Sequence, residues 1–113
     1  MILSIKIPKK DVLSICQFKM EDNLVKGVVD ISNRRIAIDA SMHVDLEQQL
    51  LKDGSEQSEL WGFNIYPHKE NEDFIEFDSI INLRPWQNNR KRYIEDDEIK
   101  KEAVEIILEW VLI

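Results

Sequence analysis

Four cations, Arg84, Arg90, Lys91 and Arg92, fall within nine residues of a chain that is otherwise acidic. They follow "EFDSIINL", a segment that carries Glu76, Asp78 and Asn82 at alternate positions. Guanidinium forks match carboxylate and phosphate geometry, so this loop is a candidate anion site. The consecutive Asn88 and Asn89 suit positive φ, which turns successive backbone amides toward an anion. Trp86 beside them could stack on a base or on an arginine. A plainer reading stands next to this one. The arginines could pair with Glu95, Asp96, Asp97 and Glu98 downstream, or with Glu76 and Asp78 on the strand.

The elements that must position these residues follow from periodicity. Ile2, Ile5 and Ile7 suggest a short edge strand. Pro8 suits a helix start, and Val12, Ile15, Cys16 and Met20 recur at helical spacing, which predicts a helix over 9–20. Val25, Val29 and Ile31, then Ile36, Ile38 and Ala40, alternate about a turn at Ser32-Asn33-Arg34, a first hairpin. Leu46, Leu50 and Leu51 share a face of a helix over 46–53, with Asp45 as its N-cap and Gly54 as its left-handed stop. "LWGFNIYP" and an alternating segment over 73–84 form a second hairpin. Asp96 is expected to cap a final helix that runs to the end of the chain.

The order (β)αββαββα predicts a single α+β domain over 1–113. It has an antiparallel sheet of four or five strands in two hairpins, with helices packed on one face. The other face would carry Asn64, Tyr66, Glu76, Asp78, Asn82 and Arg84, joined by Asp30 and Asp39. Such a face can be merely solvated. It is nevertheless short of Lys and Thr and rich in Asn and Asp, which are poor strand formers. With the loop it defines a candidate ligand set of Asn64, Tyr66, Glu76, Asp78, Asn82, Arg84, Asn89, Arg90 and Arg92.

Composition bounds the function classes. The 113 residues carry 15 basic and 22 acidic side chains, a net charge of −7, which disfavours general nucleic-acid or anionic-membrane binding. No apolar run approaches the roughly 18 residues of a membrane span. Met1–Ile7 is too short and too charged for a signal peptide, and the single cysteine, Cys16, allows no internal disulfide, so a cytoplasmic location is expected. No metal or cofactor is expected. His43 and Glu47 stand four apart, yet no third ligand has a recognisable spacing. Cys16 reads as an inert core thiol. Glu76 and Asp78 could form a carboxylate pair for acid–base work. The last helix has more apolar residues than one small sheet needs, with Leu108, Val111 and Leu112 beside its core stripe, which suggests a homodimer surface.

The motifs resemble those of a family of small bacterial and archaeal proteins of unknown function. The resemblance spans Val25 to Ile107 and rests on three patterns. W-G-x-N-x-Y-P is matched at Trp61, Gly62, Asn64, Tyr66 and Pro67. E-F-D-S-x-I-N-x-R-P is matched from Glu76 to Pro85, and N-R-x-R-x-x-E-D from Asn89 to Asp96. His43 matches a family histidine near the second helix, while Asp97 stands where the family has Pro. The resemblance implies no activity. The residues suggest a small binding module that recognises an anionic ligand or an acidic partner segment. Two alternatives stay open: a small enzyme acting on an anionic substrate with Asp78 or Glu76 as acid/base, and a single-stranded nucleic-acid binder using Arg90, Lys91, Arg92 and Trp86.

Overall fold

The structure, a computed structural model, describes residues 1–113, the side chain of Glu72 excepted. In chain order its regular elements are β1 (Ile7–Pro8), α1 (Val12–Ile15), β2 (Val25–Asp30), β3 (Arg35–Ile38), α2 (His43–Lys52), β4 (Leu60–Ile65), β5 (Ile75–Glu76), α3 (Asp97–Trp110) and β6 (Val111–Leu112). Short 3-10 turns join them. The antiparallel sheet has the order β3-β2-β4-β5, and β1 pairs with β6 in a small parallel sheet. This is the expected α+β domain with four antiparallel strands.

The first hairpin closes as its alternation predicts. Val29 faces Ile36 and Gly27 faces Ile38 across the β2–β3 pair. The carboxylate of Asp30 pins the turn by accepting the Asn33 backbone N–H at 3.1 Å and its side-chain amide at 2.9 Å. The left-handed residue is Arg34, at φ 50°, rather than the asparagine.

Strand alternation sorts the core into two layers. Val25, Val29, Ile36, Ile38, Phe63 and Ile65 lie on one face, where Ala103, Ile106 and Ile107 of α3 cover them. Val28, Ala37 and Leu60 lie on the other, where Leu46 and Leu50 of α2 cover them. The helices are therefore divided between the faces and do not share one. The reason lies in the strands themselves: Val28, Ala37 and Leu60 make the middle of the second face apolar, with Asp30 and Arg35 at one end and Lys26, Asn64 and Glu76 at the other, so the amphipathic α2 has a surface to bury against.

Two expected elements are shorter than their periodicity suggests. The helix expected over 9–20 is a 3-10 turn at Lys9–Asp11 and one α-helical turn, α1, which stops at the buried Cys16. Asp39 then holds the extended chain by accepting the N–H groups of Gln17 and Phe18, both at 2.8 Å. The long strand expected over 73–84 ends at Glu76, and a 3-10 turn follows at Ile80–Asn82. Asn82 takes the place of a strand residue there. Its Oδ1 accepts the Gly62 N–H at 2.8 Å and its Nδ2 donates to the Gly62 carbonyl at 3.0 Å. A single side chain thus satisfies both backbone groups on the outer edge of β4.

The helix ends behave as capping chemistry dictates, with one shift. Asp96 caps α3 by accepting from the N–H groups of Glu98 and Ile99. Gly54 stops α2 at φ 98°. Helix α2 begins at His43, however, so Asp45 lies in its first turn and Met42 is the N-cap. At the chain end, Val111 leaves the helix to pair with Ile7 and is fully buried, which uses part of the apolar surplus internally. Leu112 and Ile113 stay exposed.

The contact at Gly62 sets a stability test. A Cβ there would lie 2.6 Å from the Ser79 Cβ and 2.7 Å from its Oγ. Gly62→Ala is expected to cost about 1–3 kcal/mol by overpacking. Asn82→Ala is expected to cost at least as much, because each buried group left unpaired costs about 1–3 kcal/mol. Urea unfolding with wild-type slope and a lower midpoint would bear this out. A Gly62→Ala midpoint equal to wild type would refute the close-packed edge.

Candidate functional site

The four loop cations diverge. Arg84 points inward and is 1% exposed. Its guanidinium carbon lies 3.9 Å from the Trp61 ring centroid and Nη1 donates to the Gln57 carbonyl at 2.6 Å. Burial lowers its pKa, opposed by the charges of Glu47 and Glu59, and burial raises that of Glu47, opposed by Arg84. Arg90 donates only its backbone N–H, to Glu95 at 2.7 Å, and its side chain is exposed. Arg92 pairs with Asp78 at 2.7 Å, both about half exposed.

The two asparagines form no anion concavity. Only Asn88 has positive φ, while Asn89 is buried and ties the loop together. The Asn89 side-chain amide donates to the carbonyls of Asn82 at 2.8 Å and Tyr93 at 2.9 Å, and Oδ1 accepts the Glu95 N–H at 2.9 Å. Asn82, Arg84 and Asn89 therefore hold the segment against β4. Trp86, 71% exposed, stands at the tip of the same loop.

The other candidates gather elsewhere. Asn64, Tyr66, Glu76, Asp78 and Arg92 line a cleft of about 620 Å³ between the start of α2 and the segment from Glu76 to Ile81. Strand register builds its floor: Lys26 of β2 faces Asn64 of β4, and Asn64 faces Glu76 of β5. A cation, an amide and an anion thus lie in one row across three strands. Adjacent strands are about 4.8 Å apart, so the cation and the anion start roughly 10 Å apart. Met42, Val44 and Ile80, all exposed, form an apolar rim.

The groups around the floor are fixed by hydrogen bonds. Glu76 Oε1 accepts from Asn64 Nδ2 at 3.0 Å and from the Tyr66 hydroxyl at 3.1 Å. Among the described residues Glu76 has no cationic partner and Lys26 has no anionic one. Burial, and then the bond to Glu76, raises the Tyr66 pKa, so its hydroxyl stays protonated and remains the donor. Asn64 is 5% exposed and its Oδ1 meets no donor. The amide cannot turn to relieve this, because Nδ2 is needed by Glu76 and by the Asp78 carbonyl at 3.3 Å.

Two ionisable lining residues stand outside the sequence-derived set. Lys26 is invisible to local pattern, since its place beside Asn64 depends on which strand β2 pairs with. His43 could have been suspected from its place before the second helix. Its Nε2 lies 2.8 Å from the Phe63 carbonyl, which only accepts, so Nε2 carries a proton, while burial and the nearby Lys26 charge disfavour a second proton on the ring. Of the two acids expected beside them, Asp30 is buried under Ser55, whose hydroxyl donates to it at 2.5 Å, and Asp39 turns to the amino-terminal segment. Burial pushes the Cys16 thiol up to about 11. Among the described residues, no three His, Cys, Asp or Glu side chains cluster as a metal site. Among the described residues, no helix is long and apolar enough to cross a membrane.

His43 gives the site a pH signature. Burial lowers its pKa from the ordinary 6.5, partly offset by the bond to Phe63. Below that value the unfolded chain takes up a proton that the folded one resists, so stability falls as pH drops from about 7 toward 5, by up to ~1.4 kcal/mol per pH unit. His43→Asn is expected to flatten this slope in urea unfolding series at each pH. An unchanged slope would show that His43 does not titrate in this way.

Comparison with known proteins places this geometry in a family without assigning it an activity. No curated protein and no solved structure matches the chain. A family model does, over residues 1–110, nearly the whole chain, and it is described as a protein of unknown function (DUF5674). The chain, with its cleft and its inward-turned Arg84, belongs to that family.

Proposed function

We propose that the protein is a small binding module whose cleft takes an anionic ligand held by Lys26 and Arg92. The observation that carries the reading is the position of Lys26. It is half-buried on the cleft floor, with no ion-pair partner among the described residues. An unpaired ammonium in a partly desolvated cleft gains from any anion that reaches it. Arg92 adds a second cation at the wall. Its pair with Asp78 is half exposed, and such pairs contribute only about 0–1 kcal/mol, so Arg92 can share its donors at little cost. The volume of about 620 Å³ falls in the usual range for small-molecule sites.

This reading moves the anion from the loop to the cleft, since Arg84 is spent on Trp61 and Gln57. The net charge of −7 means that the ligand is captured by contact and not steered from a distance.

The test is thermal unfolding against phosphate, nucleotides, carboxylate metabolites and short RNA. A ligand at ~100 times its dissociation constant stabilises by about 2.7 kcal/mol, several degrees for a domain near this size. Lys26→Gln and Arg92→Gln are expected to lose that shift, whereas Arg90→Gln, outside the cleft, keeps it. A shift lost in Arg90→Gln and kept in Lys26→Gln would return the site to the loop. A shift with RNA alone, falling steeply with salt, would favour single-strand binding instead.

A further inference from the structure

The floor of the cleft offers a second, opposite charge that an anion alone would leave unused. Glu76 is held in place by two neutral donors on one oxygen, Asn64 Nδ2 and the Tyr66 hydroxyl, while its other oxygen has no partner. A carboxylate oxygen open to the cleft suits a group that has several N–H bonds and a positive charge. An ammonium meets both requirements. Across the same row stands Lys26, an unpaired cation. The site is thus dipolar, with acceptors at the β5 end and a donor at the β2 end. Above it, Met42, Val44 and Ile80 present apolar surface to the cleft.

We propose that the ligand is a free α-amino acid with an apolar side chain: its ammonium sits on Glu76, its carboxylate on Lys26, and its side chain against the Met42–Val44–Ile80 rim. The inference rests on the anion-binding reading above and adds the ammonium site to it. An ammonium and a carboxylate left unpaired beside a partly desolvated cleft gain from a ligand that brings both opposite charges. The row explains selection as well. A ligand with only one charge would leave either Glu76 or Lys26 unpaired in a cleft whose water it has displaced. The long stem of Lys26 lets its ammonium move along the row, so the two charges of the ligand need not be 10 Å apart for both to be met.

The test is a titration of the full chain, followed by amide shifts of Lys26, Asn64 and Glu76. The probes are L-leucine, leucinamide, N-acetyl-leucine, glycine and inorganic phosphate. L-Leucine is expected to bind at least tenfold more tightly than leucinamide, which lacks the carboxylate, and than N-acetyl-leucine, which lacks the ammonium. Glycine, lacking the side chain, is expected to be weaker too. Glu76→Gln should erase the preference over N-acetyl-leucine, and Lys26→Gln the preference over leucinamide. The wild-type series decides the matter even where a variant folds poorly. N-Acetyl-leucine or phosphate binding as tightly as L-leucine would overturn the ammonium site and leave the anion reading standing. Leucinamide binding as tightly as L-leucine, or no probe binding at all, would overturn both. Leucinamide resembles a peptide amino terminus and N-acetyl-leucine a carboxyl terminus, so the same series separates a free amino acid from a chain end.

Discussion

The side chain of Asn82 does the work of a β-strand. By closing both backbone groups of Gly62 and donating to the Arg92 carbonyl at 2.9 Å, it seals the outer edge of β4 just where β5 has ended. An edge of this kind would otherwise expose unpaired groups to other chains. The substitution has consequences in both directions along the sequence. The 3-10 turn of Ile80–Asn82 must press on Gly62, which leaves no room for a Cβ. The loop that follows must return to Asn82, which Asn89 ensures by bonding its carbonyl. The segment from Ser79 to Glu95 is thus tied to β4 by Asn82 and Arg84 and closed on itself by Asn89.

The same geometry opens the cleft. A strand running the full length expected from its alternation would have continued alongside β4 and flattened that side of the sheet. Because pairing stops at Glu76, the chain bends away and leaves a hollow between itself and the start of α2. The polar residues at the end of β5 then line a concavity where a solvated face was expected. Asp78 and Arg92 meet across its wall, and the row from Lys26 to Glu76 forms its floor.

Charge is distributed with the same logic. Two charged groups are withdrawn almost wholly from water. Asp30 is held by Ser55, Asn33 and, at 3.6 Å, Arg35. Burial alone would raise its pKa, but the hydrogen bonds from Ser55 and Asn33, together with Arg35, win, and the carboxyl titrates below its usual range. Arg84 is held by the Trp61 face and the Gln57 carbonyl, with Nε and Nη2 unpartnered. These are structural charges. Lys26 and Glu76 differ from them in being accessible and unpaired by any opposite charge among the described residues.

The sequence by itself determined what depends on neighbours along the chain. Alternation in β2, β3 and β4, the Asp96 cap, the Gly54 stop and the α+β class all follow from contacts within a few residues or from the simple need to bury one face. It also singled out Asn64, Tyr66, Glu76, Asp78 and Arg92, because Asn and Asp are conspicuous in a strand. Tertiary structure decided what those residues do. Whether Arg84 meets a ligand or Trp61 depends on residues 23 positions apart, and whether Asn82 faces water or Gly62 depends on residues 20 apart. No local rule distinguishes an asparagine that pairs with solvent from one that replaces a strand. The row that joins Lys26 to Asn64 and Glu76 is likewise a product of strand order, since β2 meets β4 and not its neighbour in sequence alone. Period and capping are local, whereas burial and register are set by what packs opposite, and that partner lies elsewhere in the chain.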